Sequence, residues 1–239
     1  MTQTCEKIVG IIGGMGPEAT VDLMQRIIRL TPATDDKDHI RCIVDNNPKV
    51  PSRIRAIIDG DGEDPGPVMA DMARRLEAWG ADFLVIPCNT AHVYYDAVQQ
   101  AVSIPVINMI DRVAAAVKTR FGTEKKIGML ASPAVAITKL YTRRFESLGI
   151  MEAWPDSEHQ DLLFTVIRQV KTGRISPGLH QQYARVCGHL ADQGVRVAVV
   201  ACTELSALGG DLPIEVIDAS QVLAEAIVQD VKQPSSPVC

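Results

Sequence analysis

No run of apolar residues in this 239-residue chain is long enough to span a bilayer. No signal-peptide pattern opens it either: Met1 to Lys7 is polar and runs into a short apolar strand. A cytoplasmic protein is expected. There is no excess of positive charge. Lys and Arg number 24 against 29 Asp and Glu, a formal net charge of −5, which speaks against nucleic acid or an acidic membrane surface as a partner. Six cysteines do not make a disulfide framework in a chain of this size. Cys5 and Cys239 lie near the ends, Cys42 sits in an apolar run that reads as core, and Cys187 falls on a helical segment. None of these four has catalytic company. Metal-ligand spacing is missing too. Cys88-x-x-x-His92 has no second ligand pair nearby, and Cys187-Gly188-His189 has no matching context, so no metal site is expected. The loop from Asp59 to Pro67 is acidic, but its prolines and spacing do not fit an EF-hand. It reads as a turn-rich loop with Asp64 capping the next helix, or as a lid over a cleft.

What is present is an alternation. Short apolar runs bounded by Gly, Pro, Asn or Asp read as buried strands: Lys7–Ile12, His39–Val44, Asp82–Pro87, Pro105–Ile110, Lys126–Ala131, Arg196–Ala201 and Ile214–Ile217. Amphipathic stretches lie between them, among them Glu18–Leu30, Pro65–Trp79, Thr138–Leu148, Ser157–Lys171, Pro177–Gln193 and Ala219–Lys232. Strands alternating with helices predict an α/β fold with mainly parallel sheets covered on both faces. The two halves echo each other, so two similar doubly wound domains are expected, with a ligand cleft between them. Residues 1–110 plus 218–239 form the first, with the last helix returning to it, and residues 111–217 the second. The Pro/Ser-rich Gln233–Cys239 is expected to be disordered.

The echo is clearest in two units that each end on a cysteine. Gly80 to Cys88 is followed by Asn89-Thr90, and Gly194 to Cys202 by Thr203-Glu204. In both, a leucine (Leu76, Leu190) stands four residues before the glycine and the cysteine eight after it. The shared reading is a helix stopped by Gly, a buried strand, and a thiol at the strand's carboxyl end. Two thiols in equivalent places of two half-domains can flank one small substrate from opposite sides, which points to proton transfer in both directions, that is, racemisation. Holding an ordinary thiol as thiolate at pH 7 costs about 2 kcal/mol. The helix opening at Ala91-His92 would supply a share of this, typically about 0.3–1 kcal/mol. A single cysteine of this kind more often just fills space; the matched pair reverses that preference. Glu204 would orient or accept a proton from a substrate ammonium group, or serve only as a charge on the first turn of a helix.

Gly13-Gly14-Met15-Gly16-Pro17-Glu18-Ala19 imitates a dinucleotide fingerprint. Pro17 removes an N–H donor, and Asp45 comes later than the usual acidic residue. A glycine turn cradling a carboxylate with its N–H groups is the better reading. Arg53, after Pro51-Ser52, and Lys171, at a helix end, are candidate carboxylate ligands, though residues of both types are more often solvated surface charges.

Gly13-Gly14-Met15-Gly16-Pro17, Asn46-Asn47-Pro48, Pro51-Ser52-Arg53, Pro87-Cys88-Asn89-Thr90-Ala91-His92 and Cys202-Thr203-Glu204 together resemble the aspartate/glutamate racemase family, from Ile8 to about Ile227. The Gly-Gly-Met-Gly-Pro start resembles its aspartate racemase branch. The resemblance implies a cofactor-independent amino-acid racemase of two similar α/β domains, a homodimer with its site in the interdomain cleft. It implies that Cys88 and Cys202 are the acid/base pair and that Arg53 and Lys171 bind a side-chain carboxylate. Met15, Asn89, Thr90, Thr203 and Glu204 would contact the α-amino and α-carboxylate groups. Relatives carry a Thr-rich turn after the strand matching Lys126–Ala131. Here it reads Ser132-Pro133-Ala134-Val135, which leaves Ser132 as the hydroxyl at that place and bears on substrate range. No lysine sits in a Schiff-base motif, so a pyridoxal electron sink is not expected. A dicarboxylate isomerase of the same superfamily and a non-catalytic amino-acid-binding regulator on this fold stay open as alternatives.

Overall fold

The computed structural model describes residues 6–173, 176–208 and 210–232. Cys5 and the Gln233–Cys239 tail lie outside them. The chain forms two sheets of four parallel strands. The first takes the order β2-β1-β3-β4, from β1 (Val9–Gly13), β2 (Cys42–Asn46), β3 (Phe83–Val85) and β4 (Val106–Ile107). The second takes the order β6-β5-β7-β8, from β5 (Lys126–Ala131), β6 (Met151–Ala153), β7 (Val197–Ala201) and β8 (Glu215–Asp218). Adding four to each strand number of the first sheet gives the second, so the halves share one topology. β1, β3 and β7 are buried along their whole length and β5 everywhere beyond its first residue, Lys126, with Gly, Val, Ile, Leu, Met and Ala as their main residues. That is the composition of strands covered on both faces.

The helices are α1 (Pro17–Leu30), α2 (Gly66–Ala78), α3 (Tyr95–Gln100), α4 (Met109–Arg120), α5 (Pro133–Ile137), α6 (Thr142–Ser147), α7 (Ser157–Lys171), α8 (Pro177–Asp192) and α9 (Ala219–Lys232). They sort into layers. Met69, Met72 and Leu76 of α2 cover the outer face of the first sheet. Leu163, Val166 and Ile167 of α7, with Val186 and Leu190 of α8, cover the outer face of the second. Between the sheets lies one continuous core. It runs from Val9, Ile11 and Val85 through Val113 and Val117 of α4 and Leu223 and Ile227 of α9 to Ile127, Met129 and Val199. α9 packs against both α1 and α4. Ion pairs fasten its edges: Arg26 with Asp218 (3.1 Å), Arg112 with Asp230 (2.7 Å), Arg120 with Glu225 and Lys232 with Glu6.

The matched leucine–glycine spacing has a local cause. Gly80 and Gly194 end α2 and α8 at φ +104° and +79°, a conformation that favours glycine. The next amides, Ala81 N–H and Val195 N–H, return to the carbonyls of Leu76 (3.0 Å) and Leu190 (3.1 Å). This six-residue closure satisfies the last helical carbonyls and turns the chain into the strand. Both leucines are buried beneath it.

Three expectations are corrected. The run Thr138–Leu148 is not one helix but α5 and α6, broken where Lys139 takes φ +50°. The strand expected over Pro105–Ile110 is paired only at Val106–Ile107. The Asn108 side chain then accepts from the amides of Ile110 (3.0 Å) and Asp111 (3.2 Å) and starts α4. β6 was not foreseen; it has three residues, begins on the exposed Met151, and so carries no apolar run. No helix of the described residues is long and apolar enough to cross a membrane.

Candidate active site

In each sheet the chain leaves the first strand for one side and returns on the other, so strand order reverses between β1 and β3 and between β5 and β7. A crevice opens at the carboxyl ends there. Cys88 lies three residues past β3 and Cys202 directly after β7. Both crevices open into one cavity of about 470 Å³. Its wall carries Cys88 and Cys202 together with Met15, Arg53, Asn89, Thr90, Ser132, Lys171, Thr203 and Glu204. Asn46 and Asn47 stand outside it.

The two thiols are equally buried, each 8 % exposed, but differ in company. The Cys202 thiol points at Glu204, Sγ to Oε2 at 3.0 Å. Burial first, then the Glu204 carboxylate, push Cys202 well above the ordinary thiol range against the opposing pull of Lys171. Glu204 also accepts from Thr203 Oγ1 (3.4 Å), and its other oxygen pairs with Lys171 Nζ (3.1 Å). Burial alone disfavours the Lys171 ammonium. The Glu204 carboxylate and the sulfurs of Cys202 and Cys88 more than offset this, so its pKa is raised and it is a firm cation. Cys88 is followed not by a long helix but by a 3₁₀ turn, Thr90–Tyr94, and the six-residue α3. The row of aligned peptide dipoles expected beside this thiol is therefore short. Cys42 and Cys187 differ from both. Burial pushes their thiols up to about 11 and about 12, with no charged neighbour involved.

His92 holds Cys88 in place. Its Nδ1 bonds the Cys88 carbonyl (2.9 Å), while Nε2 accepts the Met109 amide at the start of α4 (3.0 Å). Nδ1 therefore carries the proton, both ring nitrogens are used, and neither is left for a metal. Burial holds the imidazole down at about 4 from an ordinary 6.5. Asn89 and Thr90 reach across to the second half. Tyr141 donates to Asn89 Oδ1 (2.5 Å), and Thr90 Oγ1 lies 3.4 Å from Ser132 Oγ. Asn89 Nδ2 is buried without a partner among the described residues, although it belongs to a residue of the cavity wall. An acceptor entering the cavity would satisfy it.

Arg53 is anchored on backbone carbonyls. Nη1 donates to Pro51 (2.8 Å) and Val50 (3.3 Å), and Nη2 to Met15 (3.3 Å). The glycine turn is corrected in part. The Gly14 amide, expected in a carboxylate cradle, donates instead to Thr20 Oγ1 (2.9 Å). Gly14 takes φ +90°, and a Cβ there would meet the Asn47 backbone at 2.2 Å. The turn is glycine because two loops touch. Sequence reasoning missed the apolar wall of Ile54, Ile58, Phe164 and Ile167, and Arg168, whose guanidinium lies 5.8 Å from the centre of the Phe164 ring. Phe164, Ile167, Arg168 and Lys171 recur at helical spacing on α7, a signal that Lys171 alone would have exposed. Tyr141 carried no such signal.

The Asp/Glu/Hydantoin racemase family model matches residues 12–227. The chain is 28% identical over 231 residues to the broad specificity amino-acid racemase RacX of Bacillus subtilis (strain 168), covering 92% of this chain and 96% of that one. The Picrophilus torridus aspartate racemase superposes with a TM-score of 0.84 at 30% identity, over 95% of this chain and 94% of that one. The glutamate racemase of Francisella tularensis subsp. tularensis SCHU S4, at 17% identity and a TM-score of 0.66 over 93% and 80% of the two chains, shares the fold.

Proposed function

Since the chain belongs to the Asp/Glu/Hydantoin racemase family, we propose that it racemises a free dicarboxylic amino acid, aspartate ahead of glutamate, without a cofactor. The observation that carries this reading is the pair of cysteines at the ends of equivalent strands, lining one cavity. Cys88, as thiolate, removes the α-proton from one face. Cys202, kept protonated by burial and Glu204, delivers a proton to the other. The carbanion is quenched, and the enzyme is left with Cys88 as thiol and Cys202 as thiolate, ready for the reverse passage. Negative charge developing on the α-carboxylate is met by Asn89 Nδ2 and by the hydroxyls of Thr90, Ser132 and Thr203. Arg53 and Lys171 hold the side-chain carboxylate, with Met15 at the wall beside them. Among the described residues the cavity has one lysine, and it is paired with Glu204, which supports a route without a Schiff base. The water-excluding step falls to the turn Arg55–Asp59, which lines the cavity and packs against α5 of the other half. The active species is read as a cytoplasmic homodimer.

A second reading, a wider substrate range, is supported by the apolar wall and by the Lys171–Glu204 pair. A substrate carboxylate must compete with Glu204 for Lys171, whereas an apolar side chain meets Ile54, Ile58 and Phe164 without competition. Exchange of the α-hydrogen for deuterium, followed by NMR over a panel of D- and L-amino acids, decides between the two. Aspartate is expected to exchange fastest, and Cys88→Ala or Cys202→Ala to lower racemisation at least about 10²-fold. Full racemisation by either single variant would overturn the two-thiol mechanism.

A further inference from the structure

A second cluster of chemistry-bearing side chains stands at the far end of the second half. Asp156 caps the start of α7, His159 lies in its first turn, and His189 lies in the last turn of α8. One ligand atom from each lies within 4.8 Å of the others. His159 Nδ1 is 2.7 Å from Asp156 Oδ1, and His189 Nε2 is 3.6 Å from Asp156 Oδ2. The two imidazoles stack with centroids 3.9 Å apart and planes 9° apart. Their side chains are only 15% and 18% exposed, while the carboxylate is 53% exposed, so the cluster is walled on one side and open on the other.

The hydrogen bonds define the tautomers. His189 Nε2 accepts from the Asp156 amide (3.2 Å) and faces the Gln193 side-chain amide (2.8 Å), so it offers a lone pair. His159 Nδ1 donates to Asp156, which also accepts the His159 amide (3.0 Å). Replacing the His159 Nδ1 proton, releasing His189 Nε2 from the Asp156 and Gln193 N–H groups and tilting the stacked rings would turn both imidazoles and the carboxylate onto a single ion. Two nitrogens and one oxygen suit a borderline transition-metal ion rather than calcium or magnesium, and three protein ligands leave a place for water.

We propose that Asp156, His159 and His189 bind one divalent transition-metal ion of the zinc, cobalt and nickel class. The ion clips the start of α7 to the end of α8. The site is separate from the cavity: twelve residues of helix, about 18 Å, separate His159 from Lys171. It therefore takes no part in proton transfer, and it does not depend on the proposed racemisation. Its effect is on the hairpin of α7 and α8, whose first helix carries Phe164, Ile167, Arg168 and Lys171 into the cavity wall.

Cobalt(II) titration of the full chain tests this. The cavity thiols are competing soft ligands, so the titration uses a Cys88→Ala/Cys202→Ala background. One equivalent of cobalt is expected to bind there, with ligand-field absorption, no thiolate charge-transfer band, and a rise in Tm. His159→Gln and His189→Gln, each made separately, should weaken binding more than about tenfold, since even loss of an outer-shell partner costs that much. Metal-free melting curves establish that each variant folds; His159→Gln decides alone if His189→Gln does not. No binding in the Cys88→Ala/Cys202→Ala background, or binding that His159→Gln leaves intact, overturns the proposal.

Discussion

Glu204 stands where three effects meet. One carboxylate oxygen takes the Cys202 thiol, the other the Lys171 ammonium, and the same group raises the proton affinity of both. Glu204→Gln removes the negative charge and releases the Lys171 cation, and both changes favour the Cys202 thiolate. The alkaline limb of the kcat/KM profile should therefore move to lower pH, while the fold is retained. An unmoved limb would mean that Cys202 is not the acid reported there. The thiols were legible in the sequence because they repeat: one strand-end cysteine is packing, two in register are chemistry. Tyr141 and the strut role of His92 were not, because each depends on a partner 52 or 17 residues away in the chain.

At the scale of elements, the clearest joint is the His92 bridge from the end of β3 to the start of α4. Unfolded, this imidazole takes a proton near pH 6.5; folded, burial delays protonation to about 4. Between those values the unfolded chain binds more protons, so stability falls as pH is lowered from about 6.5 to about 4 and this contribution falls no further below that. The loss is about 3 kcal/mol, from a shift of this size at about 1.4 kcal/mol per unit. Urea unfolding across that range should show it, and His92→Asn should flatten the dependence. Helices with one apolar stripe were legible, α7 and α9 to the residue. Elements whose limits come from a side-chain cap or a positive φ were not. Asn108 ended β4 early, and Lys139 divided an amphipathic run whose spacing continued through the break.

At the scale of the molecule, the two halves share a core instead of meeting across a polar seam. Interfaces between freely moving domains are smaller and more polar. The protein should therefore unfold in one transition. Trp79 lies in the first half and Trp154 in the second, so Trp79→Phe and Trp154→Phe leave one fluorescent reporter in each. Coincident denaturation curves are expected. Leu223→Ala, from the fully buried face of α9, should lower both midpoints together, at a cost of about 2–5 kcal/mol. Separate midpoints would mean that the halves are independent. The repeated topology was readable from the repeated Leu–Gly–strand–Cys unit; the packing between the sheets was not, since nothing local marks which helix faces join. That repetition is incomplete, for Glu204 attends only one thiol. The L and D enantiomers of a free amino acid have equal energy in solution, so a racemase must have equal kcat/KM in both directions. The lopsided placement of one carboxylate is thus barred from favouring either isomer at equilibrium. It can only divide the same efficiency differently, giving one enantiomer tighter binding and slower turnover than its mirror image.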